Sequence, residues 1–166
     1  MRQSIIQALG SLPPDLTTFV IAMLPIVELR GAIPYAIGAG LPWPEAYVLA
    51  VLGNLVPVVP LLLFLGPVSE WLRRIPVFDR FFDWLFARTR KRSRLVQTYG
   101  PWGLALFVAI PLPVTGGWTG AALAYLLGIP FRRSFPAIAL GVALAGVVVT
   151  LAVMGVIGLG GVFIGH

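Results

Sequence analysis

PIVELRGAIPYAIGAG, residues 25–40, is an apolar stretch with a carboxylate, Glu28, and a guanidinium, Arg30, in its middle. Because apolar sequence flanks it on both sides, we expect it to lie at membrane depth, where charged side chains are costly and usually functional. Non-helical backbone occurs at that depth only where it is buried in protein or lines a water-filled cavity. The residues that interrupt a straight helix here are Pro25, Gly31 and Pro34. The stretch therefore predicts the turn of a re-entrant helical hairpin that carries the working residues.

The composition excludes a soluble domain. Of the 166 residues, 58% are hydrophobic and 11% are charged, and the mean hydropathy of +0.95 is typical of an integral membrane protein. The chain has no cysteine, and its single histidine is the last residue, His166. These residues supply no thiolate, metal cluster or catalytic triad. We therefore expect no enzymatic activity, no metal and no other cofactor.

Two similar halves make up most of the chain. Repeat one, about residues 17–66, has the broken hairpin followed by a transmembrane helix at 45–66. Repeat two, about residues 99–157, has a second broken apolar stretch followed by a spanning helix at 135–157. Each hairpin arm of about 10–12 residues rises roughly 15–18 Å, half of a ~30 Å hydrocarbon core. The expected turn residues of the second hairpin are Pro111, Pro113, Gly116 and Gly117.

The two halves align when the sequence is shifted by 88 residues. Gly40-x-Pro42 then falls on Gly128-x-Pro130, and Leu52-Gly53 falls on Leu140-Gly141. The shared order of broken hairpin, Gly-x-Pro connector and spanning helix indicates an internal duplication.

A basic segment at 69–98 separates the halves and orients the chain. Its regularly spaced apolar residues predict an amphipathic helix or helix pair on the membrane surface. It serves either as a topology anchor or as a binding site for anionic lipid headgroups. Ten of the twelve Lys and Arg lie in 73–94 and at 132–133, which places these segments in the cytoplasm. The two spanning helices then run in opposite directions. The expected fold is an all-α membrane domain built on an inverted repeat of two re-entrant hairpins.

PIVELRGAIPYAIG, together with GNLVP at 53–57, resembles the small multidrug export protein family of bacteria and archaea. That family looks like a branch of the DedA superfamily, whose members share two facing re-entrant hairpins, each followed by a transmembrane helix. The resemblance covers roughly residues 17–157. It implies proton-linked transport in the bacterial or archaeal cytoplasmic membrane, including translocation of lipids such as a polyprenyl phosphate. One departure concerns the second hairpin, where Ala109-Ile110-Pro111 and Val114-Thr115 replace a string that carries arginines in the DedA pattern.

The candidate binding residues have a functional and a structural interpretation. Glu28 is the proton carrier and Arg30 the deep cation that meets an anionic substrate, or the two form a buried bridge that shapes the turn. Thr115 and Thr119 form the opposing wall, or they only satisfy freed backbone groups. Asn54, in the first spanning helix, is a candidate hydrogen-bond donor into the bundle interior.

Three functions stay open at this point. The first is proton-coupled export or flipping of an amphipathic substrate such as a lipid phosphate. The second is export of lipophilic cationic drugs, and the third is a non-transporting protein that scrambles or organises lipids. Membrane lipids and protons are the expected partners, nucleic acid is not, and so small a bundle is a candidate homodimer.

Overall fold

Every described element of the chain is a helix. The computed structural model describes residues 12–72, 80, 83, 94–110 and 116–164. The predicted all-helical class is confirmed, and no strand occurs within these ranges. The helices are α1 (Pro14–Met23), α2 (Glu28–Gly38), α3 (Trp43–Leu72), α4 (Arg94–Tyr99), α5 (Pro101–Ala109), α6 (Gly117–Leu126) and α7 (Phe131–Ile164).

Two of these helices, α3 and α7, are long and apolar enough to cross a membrane. Their apolar segments are Trp43–Leu65, of 23 residues, and Phe131–Ile157, of 27 residues. The helices themselves are longer than the predicted spans, since α3 continues to Leu72 and α7 starts four residues early and continues to Ile164. Hydropathy locates the end of the apolar sequence, whereas a helix continues as long as its backbone hydrogen bonds do. The end of the apolar segment and the end of the helix therefore differ.

The burial pattern of α3 is the reverse of that in a soluble protein. Its N-terminal half buries small or polar residues, with Ala46, Ala50 and Asn54 each 0% exposed. Large apolar side chains, such as Leu52 and Phe64, are more than half exposed. Lipid tails solvate large apolar side chains, while small residues let helix backbones approach closely, so this pattern suits a membrane. The same arrangement holds along α7, where the exposed large residues include Leu140, Leu144, Val147, Val148 and Leu151.

The remaining helices are short and pack in pairs. α1 packs against α2, and α5 packs against both α4 and α6. α1 and α2 have 10 and 11 residues, while α5 and α6 have 9 and 10. At 1.5 Å per residue each rises about 15 Å, half of the hydrocarbon thickness, so none of the four crosses a bilayer alone.

The second helix of each pair ends in the same way. A glycine in the left-handed conformation follows α2 and α6: Gly40 has φ +91° and Gly128 has φ +64°. The next residue donates its N–H to the carbonyl five residues earlier, which closes the helix in a Schellman motif. These bonds are Leu41 N–H to Ala36 O at 3.0 Å and Ile129 N–H to Ala124 O at 2.9 Å.

The backbone contacts divide the chain into two units. One unit comprises Met1–Asn54 and Gly146–His166, and the other comprises Leu55–Ala145. The first therefore holds α1, α2 and one part each of α3 and α7. The second holds α4, α5, α6 and the other parts of the two long helices.

A glycine of the long helix contacts the first hairpin arm in each unit. In the first unit, a Cβ built on Gly53 would lie 2.5 Å from the Phe19 carbonyl oxygen and 2.9 Å from the Ala22 Cβ. In the second unit, a Cβ on Gly141 would lie 2.6 Å from the carbonyl oxygen of Ala105 and 2.6 Å from the Cβ of Val108. These helices therefore pack backbone against backbone, which only glycine permits.

The first turn contains fewer of the predicted turn residues than the sequence indicates. Pro25 lies in the connection between α1 and α2, as expected, but Gly31 and Pro34 lie inside α2. The prediction was wrong for these two because a proline inside a helix removes one N–H bond, here to the Arg30 carbonyl, without forcing a reversal of the chain. Pro111 and Pro113, and most of the basic segment 69–98, lie outside the described residues.

Candidate functional site

Glu28 begins α2 in a backbone conformation that a non-glycine residue rarely adopts. Its φ is +47°, and it is the one described non-glycine residue with a positive φ. Its N–H donates to the Leu24 carbonyl at 3.0 Å, which closes the connection from α1. The left-handed region costs roughly 1–2 kcal/mol for a residue with a Cβ, and such strain concentrates at functional sites. The turn therefore keeps a carboxylate where glycine would fit more easily.

The Glu28 side chain is buried although the residues that precede it in the connection are exposed. Glu28 is 8% exposed, whereas Ile26, two residues earlier in the same connection, is 93% exposed. At the first residue of α2, the carboxylate lies beside the partial positive charge of the helix N-terminus. The connection therefore combines a buried carboxylate with an exposed apolar tip.

Arg30 is the second charge of this site. It lies half-buried in the first turn of α2 and interacts electrostatically with Glu28. Gly31 follows it because space is short: a Cβ there would collide with the Cγ1 atom of Val27. This interaction is compatible with both interpretations of the pair, the functional one and the buried bridge.

Thr119 has a capping role in the second unit. The Gly116 N–H donates to Thr119 Oγ1 at 3.0 Å, and the Thr119 hydroxyl lies 3.2 Å from the Gly116 carbonyl oxygen, to which it donates. The hydroxyl thereby binds the backbone at the start of α6, which favours the structural interpretation of this threonine. Gly116 and Gly117 lie at that helix start, as expected for the end of a turn, while Thr115 lies outside the described residues.

Four further buried hydroxyls lie outside the predicted binding residues. Each donates to the carbonyl four residues earlier in its own helix or cap, so they satisfy themselves locally. The bonds are Thr17 to Pro13 at 3.1 Å, Thr18 to Pro14 at 2.6 Å, Ser134 to Pro130 at 3.2 Å and Thr150 to Gly146 at 2.8 Å. A Ser or Thr following an apolar helix start is a weak signal, because local bonding of this kind is common.

Asn54 differs from all of these. It is 0% exposed, and neither its Oδ1 nor its Nδ2 has a hydrogen-bond partner within the part of the chain that the structure describes. It belongs to the first unit, as Glu28 and Arg30 do. Since buried polar groups are nearly always paired, such an amide requires an explanation.

The described residues contain no group of three or more His, Cys, Asp or Glu side chains that would hold a metal ion. The chemistry that they offer is a carboxylate with a guanidinium beside it and a buried amide. That set binds and releases protons and polar ligands.

Helices with large exposed apolar faces and two apolar spans indicate an integral membrane protein. Residues 28–148 match the model of the family described as "Putative small multi-drug export protein". The chain belongs to this family, and the predicted resemblance is confirmed. No curated protein and no solved structure matches it.

Proposed function

We propose that this protein is a proton-coupled secondary transporter that exports or flips an amphipathic substrate, with a lipid phosphate as the favoured cargo. The family description supports the coarse function of export. The observation that carries the finer proposal is the buried, left-handed Glu28 beside Arg30. Glu28 binds the coupling proton, and Arg30 meets the anionic group of the substrate. The alternative functions are export of lipophilic cations and gradient-independent scrambling of lipids.

Burial and local strain support a working role for Glu28. A left-handed backbone at a residue with a side chain costs free energy, and such strain clusters at functional sites. The helix N-terminus and Arg30 set positive charge beside the carboxylate, so binding of a proton and binding of a charged substrate there would affect each other. An alternation between proton and substrate at one carboxylate is the simplest coupling that this residue set permits.

The proposed architecture is the inverted repeat of two re-entrant hairpins. Its support is the recurrence of the same local features in both units: two half-length helices, a left-handed glycine after the second, and a glycine of the long helix against the first. Discontinuous helices at the midplane are where secondary transporters place their substrate sites. The protein is located in the membrane. We place it in the bacterial or archaeal cytoplasmic membrane, with 69–98 on the cytoplasmic side.

Cysteine labelling tests this topology without background, since the chain contains no cysteine. Single cysteines at Leu41 and Gly160 are expected to react only with an impermeant reagent added from outside. Cysteines at Ser69 and Ser93 are expected to react only from the cytoplasmic side. Reaction of positions 41 and 93 from the same face of the membrane would refute the inverted arrangement.

Substitution of Arg30 by Lys tests the class of substrate. A guanidinium binds phosphate through a bidentate fork that an ammonium cannot reproduce, although the charge is the same. Arg30→Lys should therefore weaken binding of a polyprenyl phosphate about tenfold, the effect of one charge-assisted hydrogen bond. Binding of a lipophilic cation should change little. The measurement is a titration of the purified protein with each ligand.

Arg133→Lys is the matched control for that titration. Arg133 is an exposed cation in the first turn of α7, far from the described hairpin in sequence, and its replacement should leave both affinities unchanged. If wild-type protein binds the cation and shows no affinity for the phosphate lipid, the lipid-phosphate proposal is wrong and drug export replaces it.

A further inference from the structure

The Asn54 amide is the least satisfied polar group in the described part of the molecule. Its side chain is wholly buried, and both its donor and its acceptor lack a partner. A buried amide without hydrogen bonds is destabilising and survives where a bound molecule completes it. The position of Asn54 on α3, its surroundings and its hydrogen-bonding capacity together identify that molecule.

Asn54 lies between two contacts within the first unit. Gly53 contacts α1 at Phe19 and Ala22, whereas Val51 lies near Gly146 of α7. At about 100° per residue, Asn54 falls on the sector of α3 between these two faces. On α3 this sector also holds Ala50, one turn earlier, and Tyr47, two turns earlier; the small size of Ala50 limits how far α3 itself fills the space beside the amide.

A second polar group accompanies the amide on α3. Pro57 has no N–H, so the carbonyl of Gly53, four residues earlier, does not receive its usual helical hydrogen bond. The Gly53 carbonyl and the Asn54 amide are adjacent along the chain. Together they present two acceptors and one donor in an otherwise apolar interior.

The mixture of donor and acceptor decides the chemistry of the ligand. A bare metal cation would satisfy the two oxygens but would repel the Nδ2 hydrogens. A fully deprotonated anion would accept from Nδ2 but has nothing to donate to Oδ1. A hydroxyl group or a water molecule does both, and water is available without any substrate.

We propose that Asn54 and the Gly53 carbonyl bind a water molecule inside the first unit, and that this water relays protons along a path to Glu28. The water accepts from Nδ2 and donates to Oδ1 or to the Gly53 carbonyl. The path rests on the proton coupling proposed above, whereas the water site itself does not.

The chain connects this site to Glu28 over a short distance. Gly53 contacts Ala22, the connection to α2 begins two residues later at Leu24, and the Leu24 carbonyl accepts the Glu28 N–H at 3.0 Å. Even a fully extended chain from Ala22 to Leu24, with the hydrogen bond added, would reach no more than on the order of 10 Å, which a few water molecules span. In each transfer the water at Asn54 gives one proton toward the Glu28 carboxylate and receives one from the next water on its other side. The water at Asn54 therefore stays neutral.

Infrared spectroscopy of the full-length protein in lipid bilayers tests the water site. Wild-type protein, with no substrate added, should show an O–H stretch of buried water that shifts when H₂¹⁸O replaces the solvent water. Asn54→Leu, which keeps the volume and removes the amide, should lose that band. Thr150→Val is the matched control: it removes a buried hydroxyl of the same unit that is already bonded to Gly146. It should keep the band.

Several outcomes would overturn the water site. A band in wild type that persists in Asn54→Leu, or that is insensitive to ¹⁸O, means that something other than water at Asn54 produces it. If Asn54→Leu does not fold, radiolytic labelling of the wild-type protein alone tests for the bound water. Bound water should then generate oxidative modification of a reactive neighbour such as Phe19, the α1 residue whose carbonyl lies against Gly53. Its absence there refutes the proposal.

Transport assays separate the site from its role. Asn54→Leu should slow gradient-driven transport at least about tenfold, as expected when a positioned proton-transfer group is lost, and Thr150→Val should not. Loss of the water band with unchanged transport refutes the role in the proton path. A wild-type protein that holds the water but shows no gradient-driven transport refutes the proposed function and leaves the water site standing.

Discussion

Glu28→Gln should reduce gradient-driven transport to the level of empty vesicles while the protein remains folded and inserted. Glutamine has nearly the same size and keeps the polar end of the side chain, but it cannot bind and release a proton at physiological pH. Because the residue sits at the first position of α2, the change leaves the hairpin connection and its hydrogen bond from the Glu28 N–H in place. The measurement is substrate uptake into proteoliposomes that carry an imposed pH gradient, with a proton-sensitive dye recording the counterflow.

Glu45→Gln provides the matched control. Glu45 is also a carboxylate in the first turn of a helix, but it is exposed, and its neutralisation should leave transport intact. If Glu28→Gln is instead lost from the membrane or melts far below wild type, the carboxylate is chiefly a structural partner of Arg30. Removal of one member of a buried charge pair costs about 3–5 kcal/mol, which such a melting experiment detects readily.

The backbone strain at Glu28 can be measured separately from its charge. Glycine pays no penalty at a positive φ, whereas alanine does. Of two variants that both lack the carboxylate, Glu28→Gly should therefore unfold at a higher temperature than Glu28→Ala, by the equivalent of about 1 kcal/mol. Both should be inactive, so this pair reports on conformation without any contribution from chemistry.

Gly53→Ala and Gly141→Ala should produce the largest losses of stability among single-methyl additions to the described helices. A methyl at Gly53 would lie 2.5 Å from the Phe19 carbonyl oxygen, and one at Gly141 would lie 2.6 Å from that of Ala105. Backbone atoms cannot rotate away as side chains do, so the helices must separate. Overpacking of this kind costs about 1–3 kcal/mol. Replacing glycine by alanine inside a helix also stabilises it by roughly 1 kcal/mol, so the net loss of stability is the overpacking cost less this gain. Thermal unfolding of the purified protein in detergent measures the effect.

Gly155→Ala is the control for these two substitutions. Gly155 lies in α7 with no atom within 4 Å of the position where a Cβ would be, so alanine should be neutral or slightly stabilising. A Gly53→Ala protein that unfolds at the same temperature as Gly155→Ala would show that α1 and α3 are not in backbone contact.

The sequence predicts the helical class and the large-scale order of the chain because these depend on apolar segments and their interruptions. Hydropathy identified both spanning segments, and the Gly-x-Pro connectors marked the ends of α2 and α6. The break near Pro25 was found for the same reason. These features are local, so a single sequence is enough to locate them.

What the sequence could not show depends on three-dimensional surroundings. Gly31 and Pro34 were predicted as turn residues, yet the chain reverses at a left-handed Glu28, for which no sequence signal exists. Asn54 was identified as a polar group in a spanning helix, but its lack of a partner depends on what the neighbouring helices present to it. Thr119 had two interpretations in the sequence, and the position of the Gly116 backbone favours one of them.

The length of α1 and α2 has a consequence for how the protein is made. Helices that rise about 15 Å cannot be released into the bilayer one at a time as independent spans. The surface that receives α1 includes Gly53, which is synthesised 15 residues after the end of α2 at Gly38. We therefore expect the first hairpin to integrate only after the first part of α3 has been synthesised. Integration would then be cooperative over about forty residues, and a charge introduced between 43 and 53 should disturb the assembly of a hairpin that is already translated.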